Sequence, residues 1–266
     1  MPMTDMVKHL LIINIIFFVG SFLVPEATEI LALHYFESDK FRLWQPITHM
    51  FMHGGLMHIF FNMFALVSFG SALEHFWGGK KFLFFYFSCG IGAALVHSAV
   101  DYYSFHAAIN EVMHLAISKQ DLHAIMHADM RTSFGLDPRI FQDSITTYIN
   151  KYNLTPSDFS SLFEAAVVNQ KYAVGASGAV YGLLVAFAFM FPNAELALMF
   201  IPIPIKAKYF VPGLLLIDLY LGLNGGSLFG GGTGIAHFAH LGGALFGFIM
   251  MWYWKRNQFD NNRWDR

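Results

Sequence analysis

The chain has 266 residues, of which 56% are hydrophobic and 13% are charged, and its formal net charge is −2. A soluble domain of this length has too little core to bury so much apolar surface, so the composition indicates a membrane protein. The near-neutral charge gives no reason to expect a nucleic-acid partner, and the single Cys89 excludes a disulfide within the chain.

Six apolar runs are candidates for helices that cross the ~30 Å hydrocarbon core of a bilayer. They lie near residues 8–24, 56–73, 82–100, 175–191, 209–223 and 236–254. No small-residue cleavage site follows the first run, so we expect a retained anchor and not a signal peptide. The fifth run is short, so three arrangements are open: a tilted span, a poorly inserted span, or a span extended by the preceding "LALMFIPIPI". The pattern predicts an all-α polytopic membrane protein.

Most lysines and arginines near the ends of these spans lie on one side, and this bias predicts the orientation. They are Lys8, Lys80, Lys81, Lys206, Lys208, Lys255, Arg256, Arg263 and Arg266. We therefore expect both termini inside, with residues 25–55, residues 101–172 and the Gly-rich segment 222–234 outside. The predicted parts of the chain are spans one to three (1–100), an outside insertion (101–172), spans four to six (173–254) and a cytoplasmic tail (255–266).

Residues 101–172 differ from the rest in composition, because they hold eight acids and five lysines or arginines. Asp137-Pro138 and Thr155-Pro156 are typical of helix starts. These features predict a helical extramembrane insertion between the third and fourth spans.

The last predicted helix of the insertion, 156–170, places Phe159, Phe163 and Val167 on one apolar stripe. The stripe suggests a lid or a substrate-docking surface that covers a cavity or the loop 222–235. The alternative is a domain that folds by itself in an outside loop that tolerates it.

Polar side chains inside the predicted spans are the candidates for chemistry, because they are costly in lipid and tend to face a cavity or a partner. They occur in three stretches, "HMFMHGGLMHIFFN", "GASG" and "HFAHLGGALFG", and at the isolated Asp218. The residues are His49, His53, His58, Asn62, Ser177, Tyr181, Asp218, His237 and His240.

Helical spacing relates several of these residues. His58 and Asn62 are four residues apart and share one helix face, as do Ser177 and Tyr181. Two small-xxx-small patterns, Gly178 to Gly182 and Gly243 to Gly247, allow close approach of helix backbones. Because Gly243 lies near His240 on its helix, the spacing allows Ser177 and His240 to meet, and an imidazole can then take the serine proton.

At these residues the chain resembles the rhomboid family of intramembrane serine proteases. "GASGAVYG" is similar to the family's catalytic serine motif, "HFAHLGGALFG" to its histidine motif and "HGGLMHIFFNMFALVSFGSALE" to its second-span motif. The resemblance covers all six predicted spans and leaves out most of the insertion. It implies a six-transmembrane-helix rhomboid-like bundle that cleaves peptide bonds in or near the transmembrane segments of other membrane proteins, without a metal or organic cofactor.

Carried over residue by residue, the resemblance implies that Ser177 is the nucleophile and His240 the general base. It implies that the oxyanion is held by His58, Asn62 and the backbone N–H of Ser177, and that Tyr181 packs on the base. It also implies supporting roles for Gly175, Gly178, Gly243 and Gly247, and a structural role near the inner face for Glu74. Trp44-Gln45 stands where the family has Trp-Arg, so a role of that arginine does not carry over.

The remaining polar residues have simpler interpretations. We expect His49 and His53 to order their loop by hydrogen bonds and His237 to face the outer rim. Asp218 is expected to face the bundle and bond a neighbour, and the alternative is a third catalytic member.

Two other functions compete with proteolysis. His49, His53, His58, His237 and His240 could be histidine boxes that bind iron or zinc, although the chain has no HExxH motif and no paired histidines. A rhomboid-like pseudoprotease that binds membrane helices without cutting them is the other alternative, against which the retained Ser177, His240, His58 and Asn62 argue.

Overall fold

The structure is a computed structural model, and it describes residues 2–24, 26–132, 135–198, 201–224 and 235–254. The chain forms two compact units. The first unit comprises Met1–Leu33, Leu43–His97 and Val174–Arg266, and the second comprises His34–Arg42 and Ser98–Ala173. Most of the Gly-rich segment 222–234 and the predicted cytoplasmic tail 255–266 lie outside the described residues.

The elements are mostly helices, joined by short strands and turns. Up to the end of the longest helix they are α1 (Asp5–Leu23), α2 (Ala27–Leu31), β1 (Leu33–His34), α3 (Gln45–Thr48), a 3-10 turn (His49–Phe51), α4 (Leu56–Ala65), a π-helical segment (Leu66–Gly70), α5 (Ser71–Trp77) and α6 (Gly79–Glu111). They continue with a 3-10 turn (Met113–Leu115), α7 (Lys119–Met126), β2 (Arg131–Thr132), β3 (Gly135–Leu136), α8 (Pro138–Ser144), α9 (Thr146–Tyr152), α10 (Pro156–Gln170), β4 (Tyr172–Ala173), α11 (Ser177–Met190), β5 (Glu195–Leu198), β6 (Ile201–Lys206), α12 (Ala207–Leu223) and α13 (Ile235–Trp254).

Each of the six predicted spans corresponds to a helix or to a continuous run of helices. Asp5–Leu23, Leu56–Trp77 and Gly79–Glu111 are long and apolar enough to cross a membrane, and Ser177–Met190 is a shorter apolar helix. Large apolar side chains are exposed on these helices, such as Phe22 on α1, which is 72% exposed. Exposed apolar surface of this kind suits contact with lipid tails. The existence of the helices is thus confirmed, while six crossings remain a prediction.

The expectation that "LALMFIPIPI" extends the fifth span is wrong. Its described residues, 196–198 and 201–205, belong to an antiparallel pair of β5 and β6, in which Glu195 pairs with Lys206 and Leu196 with Ile205. Two prolines, Pro202 and Pro204, lack the N–H that a helix interior needs, and β-branched isoleucines alternate with them. The fifth helix, α12, therefore begins only at Ala207.

Glu74 fixes the start of α1, in agreement with the structural role expected for it. Its buried carboxylate accepts hydrogen bonds from the backbone N–H groups of Met6 and Val7, both at 3.0 Å, and from the Thr4 hydroxyl. The first N–H groups of a helix have no acceptor within the helix, and a carboxylate there also complements the helix dipole. Glu74 thereby connects the second predicted span to the first.

The second unit has a hydrophobic core of its own. Leu162 and Ala165 of α10 are fully buried there beside Ile125 of α7 and Phe141 of α8. The predicted helix starts are confirmed: the Asp137 side chain caps α8, and Thr155 forms a capping box with Asp158 at the start of α10.

The apolar stripe on α10 packs inside this second core. Phe159 and Phe163 stack on each other with ring centroids 6.4 Å apart, and Phe163 lies 5.4 Å from the ring of Phe141. Val167 is buried in the same cluster. The stripe is therefore used within the insertion, and it gives no support to a lid over the first unit. The proposed partner loop 222–235 is described only to residue 224 and from residue 235.

Candidate active site

Ser177 is the first residue of α11, and the conformation of the chain before it requires glycine. Gly175 has a φ of +125°, which an L-residue with a side chain rarely adopts. A Cβ atom at Gly175 would also lie 2.7 Å from Nε2 of His58. The Gly175 N–H donates to the carbonyl oxygen of His49 at 2.9 Å. Two independent constraints thus set the position at which the serine enters its helix.

His240 on α13 contacts the serine directly. Its Nε2 lies 2.9 Å from Oγ of Ser177, a hydrogen-bond distance. The ring of Tyr181, one turn further along α11, stacks on the imidazole with centroids 4.3 Å apart and planes 11° from parallel. The predicted contact between serine and histidine is present, and Tyr181 restricts the rotation of the base.

Glycines bring α11 and α13 close enough for this contact. A Cβ at Gly243 would lie 1.8 Å from the carbonyl oxygen of Gly178, and a Cβ at Gly247 would lie 2.8 Å from Cα of Gly182. A Cβ at Gly178 would overlap Cβ of Ala93 on α6 at 2.3 Å. The two small-xxx-small patterns therefore face each other, and no larger residue fits at these positions without movement of a helix.

His58, on α4, is oriented by the loop that precedes it. Its Nδ1 accepts the backbone N–H of Gly54 at 3.3 Å, so the neutral imidazole carries its proton on Nε2. A Cβ atom added at Gly175 would lie 2.7 Å from this Nε2 and 3.6 Å from Oγ of Ser177, so the two side chains lie on the same side of Gly175. The ring of His53 packs edge-on against His58 at 5.1 Å. His58 thus presents an N–H donor beside the serine.

Asn62 is buried one turn after His58 on the same helix. Its Nδ2 donates a hydrogen bond to the carbonyl oxygen of His58 at 3.1 Å. A side-chain amide has two N–H donors. This bond uses one of them and leaves the other for a further acceptor.

Asp218 on α12 is buried and bonds a neighbour, as expected, and the neighbour is His237. The Asp218 carboxylate accepts a short hydrogen bond from Nδ1 of His237. The prediction that His237 faces the outer rim is wrong, because this side chain is only 11% exposed and points to the acid. Oδ1 of Asp218 also lies 3.5 Å from Nδ1 of His240, within ion-pair distance. One carboxylate therefore forms a hydrogen bond with His237 and lies within ion-pair distance of His240.

The loop histidines are structural, as the sequence suggests. Nδ1 of His49 donates to the carbonyl oxygen of Gln45 at 2.9 Å, and Nδ1 of His53 lies 3.3 Å from the carbonyl oxygen of Phe51. Burial lowers the pKa of His49 to about 4 and the pKa of His53 to about 4, so both rings are neutral near pH 7. Gln45 is itself fully buried, and its amide donates to the carbonyl oxygen of Ile30 at 3.2 Å.

One part of the histidine-box alternative has a geometric basis. Asp218, His237 and His240 each offer a ligand atom, and these atoms lie within 4.8 Å of one another. In the part of the chain that the structure describes, His49, His53 and His58 belong to no such group. The five histidines are thus not assembled around one centre, although three side chains could hold an ion.

Sequence reasoning missed two backbone groups that organise the site. The Gly54 N–H selects the tautomer of His58, and the His49 carbonyl holds Gly175. The four-residue spacing of Gly54 and His58 was a visible signal for the first. The second joins residues 126 positions apart and had no local signal.

The Rhomboid domain family model matches residues 40–115 and 150–257 of the chain, and the gap between these two ranges lies within the insertion. An uncharacterized mitochondrial rhomboid protein of Schizosaccharomyces pombe is 28% identical over 224 residues, which is 81% of this chain and 52% of the relative. The chain thus spans about half the length of the curated relative it matches. Because the family model covers more than half of the chain, and three helices among the described residues are long and apolar enough to cross a bilayer, the chain belongs to the rhomboid family of integral membrane proteins.

Proposed function

We propose that this chain is an intramembrane serine endopeptidase, with Ser177 as nucleophile and His240 as general base. The observation that carries the proposal is the 2.9 Å contact between Nε2 of His240 and Oγ of Ser177. A serine hydroxyl is a weak nucleophile at neutral pH, and an imidazole at this distance can accept its proton.

The reaction follows from these positions. As Oγ of Ser177 attacks the carbonyl carbon of the scissile peptide bond, its proton moves to Nε2 of His240. The imidazolium then protonates the leaving amine, and an acyl-enzyme remains. Water, deprotonated by His240, hydrolyses the ester and restores the serine.

During attack, negative charge develops on the carbonyl oxygen of the substrate, and hydrogen-bond donors close to Ser177 are needed to stabilise it. The Nε2–H of His58 is available because Nδ1 is occupied by the Gly54 N–H. Ser177 is the first residue of α11, so its backbone N–H has no acceptor inside that helix and is a second candidate donor. The second N–H of the Asn62 amide is the third candidate donor. Preorganised donors of this kind commonly make the largest single contribution to catalysis.

Asp218 and Tyr181 act on the base and not on the substrate. With Nε2 of His240 facing the serine, its proton lies on Nδ1, 3.5 Å from Oδ1 of Asp218. The carboxylate can stabilise the imidazolium that forms during the reaction. Stacking on Tyr181 keeps the ring in plane.

The proposed substrates are transmembrane segments of other proteins. A helical carbonyl is occupied by its own hydrogen bond, so a substrate helix has to unwind locally before attack. Glycine or proline near the cut and small residues beside it favour this unwinding. We further propose six membrane crossings, both termini inside, and an active site and insertion on the outer side, since the lysines and arginines near the span ends follow this pattern.

Cleavage of a model transmembrane substrate by detergent-purified protein tests the function. Ser177→Ala or His240→Ala should lower the rate by several orders of magnitude, and the double variant should be scarcely worse because the two residues act as a unit. A serine-directed fluorophosphonate should label the peptide that contains Ser177. Ser160→Ala, on an exposed face of α10, is the matched control and should change neither result.

The outcomes separate the alternatives. Near-normal cleavage by Ser177→Ala would contradict the serine mechanism and favour the group formed by Asp218, His237 and His240 as a metal centre. Absence of both labelling and cleavage in a folded wild-type protein that still binds the substrate helix would favour the pseudoprotease.

A further inference from the structure

The second unit contains a cluster of side chains that the proposed proteolysis does not use. Asp39 lies in the segment His34–Arg42, His123 lies on α7, and His127 follows directly after that helix. Oδ2 of Asp39 is 3.0 Å from Nε2 of His123 and 3.6 Å from Nε2 of His127. The three ligand atoms all lie within 4.8 Å of one another. Segments far apart in sequence thus converge on one small volume.

These separations match those around a four-coordinate metal ion. Zinc binds imidazole nitrogen and carboxylate oxygen at about 2.0–2.2 Å, so tetrahedral ligand atoms are separated by about 3.4 Å. The two distances from Asp39 lie on either side of this value. The rings of His123 and His127 stack with centroids 4.2 Å apart and planes 26° from parallel, because the residues are four positions apart. An ion between the three atoms would require only small side-chain shifts.

Backbone contacts orient the ligands. Nδ1 of His127 donates to the carbonyl oxygen of His123 at 2.8 Å, which leaves the lone pair of the neutral ring on Nε2, facing Asp39. Ligand histidines in metal sites commonly donate their other ring N–H to a carbonyl in this way. The guanidinium of Arg42 donates to the backbone carbonyl of Asp39 at 2.7 Å and orders the turn that carries the acid.

A simple ion pair leaves part of this arrangement unexplained. In the same unit, the Glu37 carboxylate contacts one imidazole, that of His106, with Oε2 and Nε2 3.0 Å apart. At the cluster, Nε2 of a second imidazole faces the same carboxylate oxygen. In the neutral ring this atom carries a lone pair, so the contact is attractive only when a proton or a metal cation lies between the two atoms. Asp39 is 69% exposed and His123 is 64% exposed, so an ion from solution can reach the position.

We propose that Asp39, His123 and His127 bind one divalent transition-metal ion, of the class of Zn²⁺, with water completing its coordination. Imidazole ligands favour zinc and its neighbours over Mg²⁺ and Ca²⁺, which prefer all-oxygen sites. The ion connects the segment His34–Arg42 to α7 across 84 positions of the chain, so binding stabilises the second unit.

Calorimetric titration of the full chain with Zn²⁺ tests the proposal. The protein is purified in detergent without a polyhistidine tag and stripped of metal with a chelator that is then removed. We expect one Zn²⁺ per chain at this site and a rise in the thermal midpoint of the second unit. Asp39→Asn, His123→Gln and His127→Gln should each weaken binding at least about tenfold. Excess Mg²⁺ should not compete.

Two controls make the result specific. His106→Gln removes the imidazole that contacts Glu37 in the same unit and should leave Zn²⁺ binding unchanged. Asp218→Asn, which alters the buried group of the first unit, should also leave it unchanged. Co²⁺ added to the wild type should give the intense visible absorption of a four-coordinate site, and this readout depends on no variant. No binding by the wild-type chain, or equal binding by the three ligand variants, would overturn the proposal. None of these measurements uses protease activity, so failure of the proposed function would not affect them.

Discussion

Replacing Gly243 with alanine tests whether the close approach of α11 and α13 sets the proposed activity. The added Cβ would lie 1.8 Å from the carbonyl oxygen of Gly178 and 2.5 Å from its carbonyl carbon. Both contacts are with backbone, so no side chain can rotate out of the way. The helices have to move apart.

The geometry gives the size of the effect. Ordinary van der Waals contact lies near ~3.5 Å, so the helices must separate by about 1.7 Å at this point. His240 is one turn from Gly243, and its 2.9 Å contact with Ser177 would lengthen beyond hydrogen-bond distance if the movement reached it in full. A misplacement of ~1 Å in a catalytic constellation can cost about 10²-fold in rate. We expect a loss of at least that size for Gly243→Ala.

The assay compares graded variants under one condition. Gly247→Ala, whose Cβ would lie 2.8 Å from Cα of Gly182, should have an intermediate effect, and Gly20→Ala, whose Cβ has nothing within 4 Å, is the control. Cleavage of a model transmembrane substrate and fluorophosphonate labelling of Ser177 are measured together with thermal unfolding. A folded Gly243→Ala protein that cleaves at the wild-type rate would refute the reasoning.

Three further predictions concern the residues around the dyad. His58→Ala should lower kcat by ~10²–10³ with a smaller change in KM, and loss of substrate binding with kcat intact would make His58 a recognition residue instead. Asp218→Asn should lower kcat by about tenfold or more with KM little changed. The reason is that a carboxylate near 4 Å from the His240 imidazolium stabilises it by roughly 4 kcal/mol at an effective dielectric constant of ~20, and the hydrogen bond of Asp218 to His237 reduces this effect. An unchanged kcat would remove Asp218 from the mechanism. Since burial lowers the pKa of His49 and His53 from 6.5 to about 4, the unfolded chain binds more protons between these values, so stability should fall as pH drops from about 6.5 toward 4. Thermal unfolding of Ser177→Ala across this range measures the effect, and His53→Gln should reduce it.

The sequence alone was sufficient for features that depend on local spacing and local chemistry. The positions of the six apolar helices follow from runs of apolar residues, and the starts of α8 and α10 follow from an acid or threonine before proline. Paired glycines on two helices predicted a close approach, and the structure places Gly178 and Gly243 in contact. Such signals are readable because a helix repeats every 3.6 residues whatever surrounds it.

Only the tertiary structure decided which partner each buried polar group has. His237 bonds Asp218 instead of facing the rim, and the phenylalanines of α10 pack in the insertion's own core. Helical periodicity shows which residues share a face, but not which distant segment packs on that face. A buried polar group bonds whichever partner the whole fold brings within reach, because leaving it unpaired costs about 1–3 kcal/mol. That partner is set by chain segments far apart in sequence, so it is decided by the packing of the helices and not by local spacing.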